Sequence, residues 1–154
     1  MKLYFLAILV VSSFLYTSNN EIKGTWKIEL YTTSKDTIYK ENHPEFTKKY
    51  FEKLLVSVDE SEEKKLKIQK STEDLYESIK AINLFIDKKT IKSFKIGDFQ
   101  NEIKINYTIE NDKIILDKKQ NEKYKYNLEY NSKNDKLTLQ DENKFLKVEY
   151  SRLK

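Results

Sequence analysis

The sequence predicts a mainly β fold, an antiparallel up-and-down barrel of about eight strands with a helical insertion after the first strands. Three observations predict it. Apolar and polar residues alternate through most of the second half. Clusters of Asn, Asp and Lys recur between the alternating runs. Only the stretch from 44 to 81 switches to a helical spacing.

Taken in order, Trp26, Ile28 and Leu30 alternate with Lys27 and Glu29 after Gly24, which makes a strand with one buried face. Ser34-Lys35-Asp36 turns the chain into a short continuation, Thr37-Ile38-Tyr39. Pro44 suits a first helical turn, and Phe46, Tyr50, Leu54 and Val58 follow on one helical face. Asp59 to Lys65 is a charged run that reads as a solvated linker, and Leu66 and Ile68 fit either a brief strand or a helical extension. Ser71-Thr72-Glu73-Asp74 resembles a capping box, with the carboxylate three residues after the serine, and Leu75, Ile79 and Ile82 lie on one side after it.

Strands return with Ile82, Leu84 and Ile86, a turn at Asp87-Lys88-Lys89, and Phe94 with Ile96 before Gly97-Asp98. Ile103, Ile105, Tyr107 and Ile109 form the clearest alternation, closed by a turn at 110–113. Ile114 and Leu116 follow, then Tyr124, Tyr126, Leu128 and Tyr130. Asn131 to Asp135 turns the chain into Leu137 and Leu139, and Asp141 to Lys144 turns it into Leu146, Val148, Tyr150 and Arg152. Connections this short place five strands in antiparallel meander order.

Composition bounds the chemistry. The 154 residues hold 29 Lys plus Arg and 25 Asp plus Glu, a net charge of +4 with the two signs interspersed. That is a solvated mixed surface, and nucleic acid is not expected as a partner. Eleven Tyr and eight Phe at regular spacing separate the chain from disordered sequences. Heavy use of Lys, Asn, Ile and Tyr points to an AT-rich, bacterial genome. With two Gly and one Pro, the turns must be built from Asn, Asp and Lys. Absence of Cys removes thiol nucleophiles and any lipoprotein anchor, and a single histidine, His43, leaves no redundancy for a triad or a zinc site. Gly24 and Gly97 cannot build a phosphate loop. No enzyme, cofactor or metal is expected.

Residues 1–20 read as a signal peptide. Lys2 supplies a positive start, Leu3 to Val11 is unbroken apolar, and Thr17-Ser18-Asn19-Asn20 suits a cleavage region. The apolar run, about 14 residues, is shorter than the roughly 20 that span a bilayer. An exported protein is expected, periplasmic or extracellular, with no stable membrane anchor after cleavage. Residues 21–154 form one domain, with 44–81 as its helical insertion.

Gly24-Thr25-Trp26 at the start of the first strand, with Arg152 at the end of the last, resembles the lipocalin pattern. Tyr107-Thr108-Ile109, Asp112-Lys113-Ile114-Ile115-Leu116 and Asp135-Lys136-Leu137-Thr138-Leu139 are similar to the hairpin ladder of lipocalin-like, calycin-type domains in exported bacterial proteins. The resemblance runs in order over residues 22–153. It implies that Gly24, Trp26 and Arg152 form a structural motif in which the arginine packs over the tryptophan and closes the barrel bottom. The insertion at 44–81 is longer than a plain lipocalin carries. Read from the residues alone, Trp26 is a core plug, and Arg152 either stacks on it or stands exposed at the chain end.

Inward-facing Tyr107, Tyr124, Tyr126 and Tyr130 would line a barrel interior with rings and hydroxyls, which suits a small hydrophobic or amphipathic ligand. The same tyrosines equally suit ordinary strand filling. Two function classes follow. One is a lipocalin-like binder of a small hydrophobic molecule. The other is an exported protein-interaction module, inhibitor or immunity-type, with a filled barrel and a protein partner on Tyr50, Phe51, Leu54 and Leu55. An enclosed cavity favours the first, an exposed apolar patch the second.

Overall fold

The structure is a computed structural model that describes residues 21–54, 61–95, 98–111, 113–122 and 125–154. The expectations placed on residues 1–20, Leu55, Val58, Ile96, Gly97, Asp112 and Tyr124 lie outside the described residues. The chain runs β1 (Gly24–Thr33), β2 (Thr37–Lys40), α1 (Pro44–Leu54), α2 (Glu62–Lys80), β3 (Ile82–Ile86), β4 (Thr90–Lys95) and β5 (Asp98–Glu110). It continues through β6 (Lys113–Leu116), α3 (Lys118–Asn121), β7 (Tyr126–Asn131), β8 (Lys136–Asp141) and β9 (Leu146–Arg152).

Every pairing is antiparallel, and β9 returns to β1, so eight strands close a barrel in the order β1-β3-β4-β5-β6-β7-β8-β9. One edge of β1 pairs with β9 from Trp26↔Arg152 to Thr33↔Leu146. The opposite edge is shared, with β3 along Gly24 to Lys27 and β2 along Leu30 to Thr32. The mainly β barrel and its helical insertion are therefore as the alternation predicts. The turns are built from the expected residue types: Asn42, Asn111, Lys125, Asp135 and Lys144 all carry positive φ.

The barrel has two unlike ends. The β3–β4, β5–β6 and β7–β8 turns gather at one end with the start of β1. The β1–β2 turn, the helices, and the β4–β5 and β8–β9 connections gather at the other. A core of Trp26, Ile28, Leu84, Ile86, Leu137, Val148 and Tyr150 runs between them.

Three local expectations are corrected. First, β1 does not keep one face throughout: its register against β9 shifts between Ile28 and Leu30. This bulge reverses the parity, because one extra residue exchanges the two faces of a strand. Tyr31, rather than Leu30, packs against the core beyond it.

Second, the expected face of α1 holds only in part: Tyr50 packs against the core, but Leu54 does not. Leu54 is 57% exposed, and Thr47 is the fully buried side chain. The reason is polar: Thr47 Oγ1 donates to the Ile38 carbonyl on β2 at 2.7 Å, which gives the buried hydroxyl its partner. Third, Ser71 to Asp74 caps nothing. The helix is continuous from Glu62, so the linker shortens, Leu66 and Ile68 are helical, and Ser71 sits mid-helix. Glu62 and Glu63 in its first turn and Lys80 in its last suit the helix dipole without any serine cap. Ile79 seats α2 on the core, and Tyr76 stacks on Tyr39 with centroids 5.0 Å apart and accepts a bond from Asn42 N at 2.9 Å.

Candidate functional site

The first barrel end is plugged. Trp26 is completely buried at the mouth, and its Nε1 donates to the Ile22 carbonyl at 3.0 Å. Arg152 lies over the indole with its guanidinium carbon 4.2 Å from the ring centroid, a cation–π geometry. Its Nε and Nη2 each reach an oxygen of Asp135 at 2.9 Å, a fork-on-carboxylate arrangement. Nη1 and Nη2 also donate to the carbonyls of Lys23 and Glu21. The arginine bonds hold the Asp135 carboxyl below its ordinary range, and the guanidinium is raised in turn. Gly24 is required at this point. Its φ is +130°, and a Cβ there would stand 3.1 Å from Arg152 Nη1.

The other end is hollow. A cavity of about 170 Å³ opens inside the barrel toward the helical end. Leu84, Ile91, Ile105 and Leu116 form one wall, and Leu128 and Leu139 the other. Polar atoms come from Ser93 on β4, Tyr126 on β7 and Tyr150 on β9, while Ile103 stands at the rim, 52% exposed. Tyr31 packs against the same core. Its phenol is raised by burial and by Tyr126 and Tyr50, and that of Tyr150 by burial and by Tyr126 and Tyr31. These two phenols are neutral at physiological pH, so they offer hydroxyls that donate and accept rather than a base.

Of the sequence-chosen tyrosines, the three that the structure describes are not brought together. Tyr126 lines the cavity. Tyr107 is buried nearer the plugged end, where its hydroxyl donates to the Asp87 carbonyl at 2.7 Å and ties β5 to the β3–β4 turn. Tyr130 meets Trp26 edge-on at 6.0 Å and donates to Asp135 Oδ1 at 3.1 Å, so it belongs to the plug. Sequence reasoning missed Tyr150 and Tyr31. Tyr150 shares parity with Val148 and could have been chosen on the same alternation; Tyr31 could not, because a bulge places it. Reasoning also missed α3, whose signal was Asp117: its side chain accepts from Gln120 N at 3.1 Å as an N-cap. Asn121, at the end of that helix, then holds the Tyr126 backbone with both side-chain atoms, at 2.8 and 2.9 Å.

The fold and this geometry define a closed eight-stranded antiparallel barrel with one plugged end and an internal apolar cavity. No family model matches the chain, and no curated protein matches it. Among solved structures, the chain is similar to a DUF4847 family protein from Bacteroides vulgatus, with a TM-score of 0.50 at 12% identity. The match covers 90% of this chain and 98% of that one, and it bears on the fold alone.

Proposed function

We propose that this protein is an exported, lipocalin-like binding protein for a small hydrophobic or amphipathic ligand, not an enzyme. The observation that carries the reading is the cavity: about 170 Å³, apolar walls, and phenol and serine hydroxyls at defined points. An apolar protein cavity of about 150 Å³ accepts benzene, so the fitting ligand is one ring or a short chain with a single polar group. The Gly24-Trp26-Arg152 closure supports the lipocalin-like part of the reading, and the leader pattern over residues 1–20 supports export to the periplasm or beyond.

Native mass spectrometry of the protein purified from its own host, followed by extraction, tests this. A stoichiometric small molecule that Tyr126→Ala fails to retain is the expected result. A clean apo mass, with no uptake of phenol- or indole-sized probes, would refute it. A second reading, the protein-interaction module, is favoured by Leu54 and Leu66, which are 57% and 70% exposed on the paired helices.

A further inference from the structure

The hollow carries no charge of its own. Its polar side chains are Ser93, Tyr126 and Tyr150, and every other side chain on its wall is Leu or Ile. Alternation turns the ionic residues of the same strands outward. Lys92 meets Glu102 on that outer face at 3.0 Å, and Lys147 meets Glu149 at 2.6 Å. A charged group entering the hollow would leave water without gaining a counter-ion, which is strongly unfavourable.

Tyr150 rises from the plugged end. It pairs with Ile28 on β1 and Leu137 on β8, two residues before Arg152. The residue is 4% exposed, and among the described residues no hydrogen bond reaches its hydroxyl. Two other tyrosines of the barrel show the usual arrangement: Tyr107 donates to the Asp87 carbonyl and Tyr130 to Asp135. Burial raises the Tyr150 phenol, so the group is neutral and keeps a proton to give. A buried hydroxyl without a partner is destabilising. One water would satisfy it but leave most of an apolar hollow of about 170 Å³ empty. A compact apolar body that bears an oxygen does both.

We infer that the ligand of this hollow is uncharged, a single ring or short chain carrying a neutral oxygen, and that Tyr150 binds that oxygen by donating its phenol proton. This rests on the binding-protein reading and narrows it: carboxylates and amines of the same shape are rejected.

Four probes of nearly one shape test it by titration calorimetry at neutral pH, on the protein purified from its host and stripped of bound molecules. They are toluene, benzyl alcohol, benzoate and benzylamine. Both ions should bind at least about a hundredfold more weakly than benzyl alcohol. Tyr150→Phe keeps the ring and removes the hydroxyl. It should shift the ratio of benzyl alcohol to toluene affinity about five- to tenfold toward toluene. Where that variant does not fold, nuclear Overhauser contacts in the parent decide, since the benzyl alcohol methylene must lie against the Tyr150 ring. An ion that binds as tightly as benzyl alcohol overturns the inference and leaves the binding-protein reading standing. So does a ratio indifferent to Tyr150→Phe, or a methylene without contact to that ring. Uptake of none of the four removes the reading itself, and this inference with it.

Discussion

Replacing Gly24 with alanine tests whether the plug is a built closure or a passive filling. Two costs follow from the geometry. At φ +130° an L-residue sits where only glycine is comfortable, which costs about 1–3 kcal/mol. The gain from a less flexible unfolded chain offsets about 0.4–1 kcal/mol of that. The new Cβ, 3.1 Å from Arg152 Nη1, also asks the guanidinium to move a few tenths of an ångström. That group is held by Asp135, by two carbonyls and by the indole, so it yields less readily than a free arginine would. A net loss of about 1–2 kcal/mol is expected, or about 2–8 °C in Tm for a chain of this size.

Trp26 is the only tryptophan, so its fluorescence during urea unfolding reports the plug directly. The same substitution in an Arg152→Ala background separates the costs: the backbone part should persist and the contact part should vanish. A Gly24→Ala chain within about 0.5 kcal/mol of the parent would refute the reasoning, since that is the range of an ordinary surface change.

Two further outcomes are expected. Thr47→Val removes the hydroxyl that donates to the buried Ile38 carbonyl while keeping the shape, and should cost about 1–3 kcal/mol in a thermal melt; a neutral result would mean that the oxygen has another partner. Asp135 has its pKa lowered, chiefly by the Arg152 hydrogen bonds. Its contribution to stability is therefore full above its unfolded value of about 3.9 and is lost as pH falls through the lower folded value. The stability difference between the parent and Asp135→Asn should be present at neutral pH and shrink in that acid window, as urea midpoints across pH would show. A difference that persists unchanged below it would contradict the assignment.

Much of the barrel is legible because alternation reports burial directly. Ile114 and Leu116, Leu137 and Leu139, and Val148 and Tyr150 each lie where period two puts them, and the left-handed turns at Asn111 and Asp135 use residue types that tolerate that backbone. What escaped depends on tertiary partners. Thr47 is polar in a pattern read for apolar residues, and it is buried only because a β2 carbonyl waits above it. Ser71 carries a helix-start signature that a longer helix overrides. The bulge after Ile28 leaves no mark in composition, yet it exchanges Leu30 for Tyr31 as the side chain that packs against the core.

The same devices explain why one end of the barrel is full and the other hollow. Eight strands enclose only enough room to be filled by side chains or to hold one small ligand, so modest choices tip the balance locally. At the plug, Trp26 and Leu137 are fully buried, Tyr130 meets the indole edge-on and the flat guanidinium of Arg152 lies over it. Toward the helices, β4 contributes Ser93 instead of a large apolar residue, and β6 pairs with β7 at Ile114↔Leu128. Beyond that pair a side chain does a strand's work, since Asn121 satisfies the Tyr126 backbone with its own amide. A full-length β6 would satisfy that backbone as well and cover the β5 edge, but it would also carry inward residues into the hollow. Ending it at Leu116 leaves the cavity open, and Asp117 and Gln120 take over the bonds to Asn106 on β5 that a longer β6 would make.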